Sequence, residues 1–176
     1  MNRIFQKRKS ALFITILTLF IFNASLSLAG DSYQVSRVVD GDTIIISQGT
    51  EKLTIRLVGI DAPEVSHKKH EPSQPFGQAA TKHLAGLVLN KTVTIQSYGH
   101  DRYGRTLAVV LLNGANINLE MVKAGLAEVY RGTPAPRFDN GPYQKAEREA
   151  QAAGRGMWVQ GDKYVSPREW RRMNTN

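Results

Sequence analysis

The stretch "YQVSRVVDGDTIIISQGTEKLTIRLVGIDAPE", Tyr33 to Glu64, sets the architecture. Its apolar runs "YQVSRVVD" and "TIIIS" flank an Asp40-Gly41-Asp42 turn, and Gln48-Gly49 closes a hairpin into "KLTIRLVGI". Three consecutive strands in a meander are therefore expected. In the third, Leu53, Ile55 and Leu57 alternate with Lys52, Thr54 and Arg56, but Val58 and Ile60 then fall on the arginine's face. A bulge or two-sided burial is expected near Leu57. Pro63 fixes its own φ and pushes Ala62 into an extended conformation, so Asp61 and Glu64 leave the strand on a short, stiff corner.

Downstream, "VSHKKHEPSQP" reads as a polar loop, and Phe76, Ala80, Leu84, Leu87 and Val88 recur at helical spacing until about Leu89, with Asn90 as the stop. Two further strands follow, "TVTIQS" and the continuous apolar run "TLAVVLL", with the polar turn "YGHDRYGR" between them. Past the Asn113-Gly114 turn, "NLEMVKAGLA" predicts a short helix capped by Asn116 or Asn118 and stopped at Gly125. Tyr143, Ala146, Ala150 and Ala153 form the apolar stripe of a last helix, begun by Pro142 and ended at Gly154. Five short strands with about three helices, one of them between the third and fourth strands, predict an α+β chain with a mainly β core: a closed barrel of the OB type. Closure removes the strand edges that an open sheet would have to protect.

The first residues read differently. Arg3, Lys7, Arg8 and Lys9 precede the apolar run Ala11 to Phe22, and "SLA" (Ser27 to Ala29) offers a small-residue cleavage site. This pattern predicts a cleavable export signal over residues 1–29, with a folded domain over 30–164 and a basic tail over 165–176. The competing reading is a retained anchor, but the apolar run is short of the ~20 residues of a spanning helix. The expectation is a secreted or periplasmic protein with no stable membrane association after cleavage. Of the 176 residues, 147 remain after the leader, enough for one domain, and nothing in them demands more than a monomer. There is no cysteine, which excludes both disulfides and a lipid anchor on cysteine. The formal charge of +8 includes the four basic residues of the leader; the rest of the chain carries about half of it, a mildly basic balance suited to a polyanionic partner.

Three carboxylates gather in the meander: Asp42 in a strand-joining turn, Asp61 and Glu64 at the corner. Hard oxygen donors without cysteine favour Ca2+ or Mg2+ over zinc. Taken by itself, "DGDT" is equally an Asx-type turn. An EF-hand fails, because Ile44 stands where the third oxygen ligand belongs and Ile45 where glycine is required. Arg56 approaches the acidic corner on its strand, and Arg105 closes "DRYGR". Planar guanidinium groups suit bidentate phosphate contact, or each arginine pairs with an acid such as Asp101 or Glu51. His67 and His70 in "HKKH" lack a third spaced zinc ligand. No nucleophile elbow and no phosphate-cradling glycine-rich loop occurs. Trp158 and Trp170 read as packing residues. In the tail, Arg168, Arg171 and Arg172 offer electrostatic grip or form a solvated end.

"VVDGDTIII", "IRLVGIDAPE", "DRYGRTLAVV", "INLEMVKAGLAEVY" and "AEREAQAAGRGMW" occur in the order and spacing of the staphylococcal-nuclease-like (thermonuclease) family, which the chain resembles from about Val35 to Trp158. The resemblance implies an OB-fold barrel with helices and a Ca2+-dependent phosphodiesterase acting on DNA and RNA and leaving 3′-phosphates. By position it implies Asp42, Asp61 and the backbone carbonyl of Ala62 as calcium ligands. Glu64 resembles the acid that positions or activates the attacking water, and Arg56 and Arg105 the phosphate-binding arginines. Tyr103 and Tyr130 resemble tyrosines lining the nucleotide pocket. Single strands are the expected preference, since an OB groove binds by stacking and backbone charge. Ala62 departs from the threonine of the best-known member, and the loop "HKKHEPSQP" and the tail also differ. The alternative from another class is a non-catalytic nucleic-acid-binding barrel, which would not need Asp42, Asp61, Glu64, Arg56 and Arg105 together.

Overall fold

Strands β1 (Ser32–Val38), β2 (Thr43–Gln48) and β3 (Glu51–Leu57) form the expected antiparallel meander in a computed structural model that describes residues 31–68 and 70–174. The predicted leader, residues 1–29, lies outside the described residues. Beyond β3 the chain turns at Val58-Gly59 and re-enters as the two-residue strand β4 (Ile60–Asp61). Helix α1 (Gly77–Val88) leads to β5 (Thr92–His100) and β6 (Thr106–Leu112). Then come β7 (Ala115–Asn116), helix α2 (Ile117–Lys123), β8 (Glu128–Val129) and helix α3 (Gly141–Ala152). A 3-10 segment (Gly156–Lys163) and helix α4 (Pro167–Asn174) follow.

The sheet runs β3-β2-β1-β5-β6-β7, and β3 pairs with β6 in parallel, closing the five strands β1, β2, β3, β5 and β6 into a barrel. Ile44, Ile46, Ile55, Leu57, Val93 and Val110 are buried in its core with Leu84 and Val88 of α1 and Met121 and Val122 of α2. Each such aliphatic side chain contributes about 1.5–3 kcal/mol of burial free energy. Among the described residues no helix is long and apolar enough to cross a membrane.

The irregularity expected near Leu57 takes the form of burial on both faces. The β2–β3 ladder is regular as far as Arg56, and Val58 is buried like Leu57. The register shifts lie elsewhere, in β1 between Val35 and Arg37 and in β5 between Ser97 and His100. Gly59 makes the turn with φ 82°, and a Cβ there would sit 2.2 Å from the Phe138 ring. Only glycine meets both demands.

The helix boundaries have local causes. Asn90 stops α1 with φ 60°. Asn116 caps α2, its side chain accepting the Leu119 N–H at 3.0 Å. Asn118, the other candidate cap, is fully buried instead. Its Oδ1 accepts the Val110 N–H, and its Nδ2 donates to the carbonyls of Val58 and Ala108, each at 3.0 Å. One side chain thereby pins the turn after β3 to β6. The α3 stripe buries Tyr143, Ala146 and Ala150 as expected, but Ala153 is exposed. Within the stretch expected as a basic tail, 165–176, Pro167–Asn174 is helical.

Candidate active site

The two acids of the meander meet behind the barrel mouth. Asp42 and Asp61 are 2% and 1% exposed. Asp42 Oδ2 accepts the Ala62 N–H at 2.8 Å, which ties the strand-joining turn to the corner before Pro63. That approach requires Gly41, where a Cβ would lie 2.6 Å from Ala62 Cβ and 2.7 Å from Ala80 Cβ. Asp61 lies within β4 rather than on a free corner and pairs with Glu128 of β8. The Tyr130 N–H continues this short ladder to the Gly59 carbonyl at 2.9 Å.

Arg56 spans the two buried carboxylates, with Nη1 on Asp42 Oδ1 and Nη2 on Asp61 Oδ1, the latter at 2.8 Å. Of the partners open from sequence it takes neither Asp101 nor Glu51. Burial lowers the pKa of its guanidinium, and the charges of Asp61 and Asp40 oppose that. Arg105 does pair with Asp101, through Nε to Oδ2 at 2.7 Å, while the Asp101 Oδ1 accepts the Tyr103 and Arg105 N–H groups. Burial pushes the Asp101 carboxyl up, but these donors outweigh it and hold the carboxyl below its ordinary value. No hydrogen bond from the terminal amines of Arg105 is present among the described residues.

Arg56, Glu64, Arg105, Tyr103 and Tyr130 all line one cavity of about 730 Å3. Glu64 reaches it with a side chain 35% exposed. The Tyr103 ring, 69% exposed, lies beneath the guanidinium groups of Arg102 and Arg105, at 4.8 and 5.6 Å from its centroid. Asp42, Asp61 and Ala62 sit immediately behind this wall. The fold thus brings Arg56, Glu64, Tyr103, Arg105 and Tyr130 to one cavity and joins Asp42 and Asp61 to it through Arg56. His67, read as a loop residue, does not line the cavity.

One residue was missed. Arg171 of α4 lines the same cavity, donating from Nη1 to Asp61 Oδ1 at 3.0 Å and from Nη2 to Asp61 Oδ2 at 2.7 Å, and contacting Glu64 Oε1 through Nη1. Hydrogen bonding to Asp61 raises the pKa of its guanidinium further. The signal that could have placed it is the capping box Ser166-Pro167-Arg168-Glu169, which marks a fixed helix start. Ser166 Oγ contacts Glu169 Oε2 at 2.8 Å and accepts the Glu169 N–H at 3.2 Å.

Among the described residues no three His, Asp or Glu side chains form a metal cage of their own. The donor set that does converge, two buried carboxylates bridged only by guanidinium, is hard and anionic. It fits a hard divalent cation that completes its shell with a main-chain oxygen, water and substrate.

The family model for staphylococcal nuclease homologues matches residues 54–160. An uncharacterized endonuclease of Haemophilus influenzae is 37% identical over 166 residues, covering 93% of this chain and 86% of that one. One from Escherichia coli O157:H7 is 40% identical over 157 residues, covering 88% and 94%. The thermonuclease of Staphylococcus intermedius is 36% identical over 137 residues, covering 77% and 80%. The barrel, the arginines and the acids around one open cavity are those of a nuclease-type hydrolase. The chain belongs to the staphylococcal nuclease homologue family.

Proposed function

We propose that the protein is an exported, Ca2+-dependent, sugar-nonspecific nuclease that hydrolyses phosphodiester bonds of DNA and RNA, prefers single strands and leaves 3′-phosphates. The observation that carries this reading is the convergence of Arg56, Glu64 and Arg105 on one cavity with Asp42 and Asp61 directly behind it. Asp42, Asp61 and the main-chain carbonyl of Ala62 would hold the cation, which supplies Lewis acidity toward a phosphate oxygen and draws the scissile group to the acidic corner.

The chain's own groups do the rest. Glu64 accepts a proton from a water aligned with the leaving oxygen. The water oxygen bonds to phosphorus, the bond from phosphorus to the 5′ oxygen breaks, that oxygen takes up a proton from solvent, and Glu64 gives its own back to solvent. Arg56 and Arg105 hold the non-bridging oxygens and act most strongly as charge builds on the five-coordinate phosphorus. Tyr103 and Tyr130 offer ring faces to the base and sugar, a contact indifferent to sequence and open to unpaired bases. One chain supplies every group this reading uses, in keeping with a monomer. Export rests on the pattern of residues 1–29.

The test is digestion of heat-denatured DNA by the chain from Gly30 to Asn176, with calcium and then with a chelator, scored as acid-soluble product. Cleavage that disappears on chelation is expected. A folded protein that binds single strands but cuts them at no calcium concentration would make it a binding barrel.

A further inference from the structure

Helix α4 is built into the active-site wall. Besides its capping box, Pro167 is buried and the residues before it are anchored twice. Gln74, itself 4% exposed, donates from Nε2 to the Val165 carbonyl at 2.7 Å. The same side chain accepts the Glu64 N–H at 3.0 Å through Oε1, and the Gln74 N–H reaches the Glu64 carbonyl at 2.9 Å. One buried amide therefore fixes the start of α4 relative to Glu64. Tyr164 packs on Trp158 with ring centroids 4.5 Å apart and donates its hydroxyl to Glu128 Oε2 at 2.7 Å. The helix is held from both sides, and Arg171 is the side chain it delivers to the cavity.

Charge then decides what Arg171 does. Asp42, Asp61 and Glu64 form an ion-paired cluster with Arg56 and Arg171, so three carboxylates face two guanidinium groups and one negative charge is left over. With a dication bound, loss of Arg171 makes the site one unit less positive. Arg171 shares Asp61 with the proposed cation site, so like charges meet there. A phosphodiester brings a negative charge, which the site attracts more strongly with that extra positive unit than without it. Arg171 lines the same cavity wall as Arg56 and Arg105, the side on which the phosphate must lie, so its guanidinium can exchange a carboxylate contact for a phosphate one.

We propose that Arg171 is a phosphate contact, a third active-site guanidinium that weakens the cation on Asp61 and strengthens the hold on the substrate strand. This rests on the calcium-dependent reading above. Arg171 is 41% exposed at its side chain, so its removal leaves the barrel core intact. It also lies outside the span matched by the family model.

The experiment compares wild type with Arg171→Ala, Arg171→Lys and Arg172→Ala in the chain from Gly30 to Asn176. Calcium affinity is read by calorimetry without nucleic acid, and KM, kcat and their salt dependence on a single-stranded oligonucleotide at saturating calcium. Arg171→Ala is expected to bind calcium roughly tenfold more tightly, since a like charge beside the site is gone. Its KM should rise roughly three- to tenfold, with a slope of log(kcat/KM) against log salt shallower by about 0.7, the share of one phosphate contact on a single strand. Arg171→Lys keeps the charge, so its calcium affinity should stay near wild type while KM rises, because an ammonium lacks the fork. Arg172→Ala, an exposed neighbour on the same helix, should match wild type in calcium affinity. Unchanged or weaker calcium binding by Arg171→Ala, or an unchanged salt slope, overturns the inference. A wild type that binds no calcium overturns the calcium reading itself and this inference with it.

Discussion

Glu128 offers a stability prediction with a defined sign. It faces Asp61 across the β4–β8 pair, is 3% exposed, and accepts the Tyr164 hydroxyl on Oε2, while its Oε1 has no hydrogen-bond partner among the described residues. Burial pushes its carboxyl up from 4.5 to about 7, with Asp61 and Glu147 adding to the effect and the Tyr164 hydroxyl and Arg131 opposing it. Between those values the folded chain holds a proton that the unfolded chain has released. Stability from this group is therefore full below about 4.5 and lost as pH rises to about 7. At about 1.4 kcal/mol per pH unit, the whole interval amounts to about 3 kcal/mol. Glu128→Gln mimics the neutral acid at every pH. Urea unfolding with a chelator present should give nearly equal stabilities at pH 4.5 and a variant more stable by about 3 kcal/mol at pH 8. A difference between the two proteins that stays constant with pH would refute the reasoning.

Three further outcomes follow from the geometry. Asn118→Ala removes three buried hydrogen bonds at the seam between β6 and the turn after β3, and should cost about 2–4 kcal/mol in urea unfolding; a loss below about 1 kcal/mol would remove it from that role. Glu64→Gln should lower kcat about 100-fold or more with KM within about threefold, whereas equal losses in turnover and binding would contradict a base acting on water. Arg105→Lys should lower kcat/KM about 10- to 100-fold, because an ammonium cannot keep the Asp101 contact and also present a planar pair of donors. Near-normal kinetics would take Arg105 off the phosphate.

Much of this was legible from local pattern. The apolar run "TIIIS" and the alternation of "KLTIRL" report strands, with Ile55 and Leu57 on the buried face, and the stops at Asn90, Gly125 and Gly154 report positive φ, so strands and helix ends follow from short windows. The acids and arginines lie in the motifs through which the chain resembles its family, and the fold brings Arg56, Glu64 and Arg105 to one cavity. What local pattern misses is partner choice. Asn116 and Asn118 are equivalent as caps in sequence, and only the fold sends one into the helix end and the other into the core. Arg171 sits among basic residues that resemble a solvated end, and its carboxylate partners are more than 100 residues away. Glu128, in the short run between α2 and α3, acquires its raised pKa only through β4 and Tyr164.

The parallel seam between β3 and β6 also bears on how the enzyme comes into being. It joins Ile55, Arg56 and Leu57 to Thr106, Leu107 and Ala108 across about half a hundred residues of intervening chain, a costly loop to close. Contacts of such long range slow folding. Arg56 lies on that seam, and Arg105 directly precedes the other side of it. Until the ring shuts, the two guanidinium groups are on separate pieces, and the phosphate contact proposed for them needs both. On the proposed function, a chain whose ring is still open lacks the paired guanidinium groups that cleavage requires.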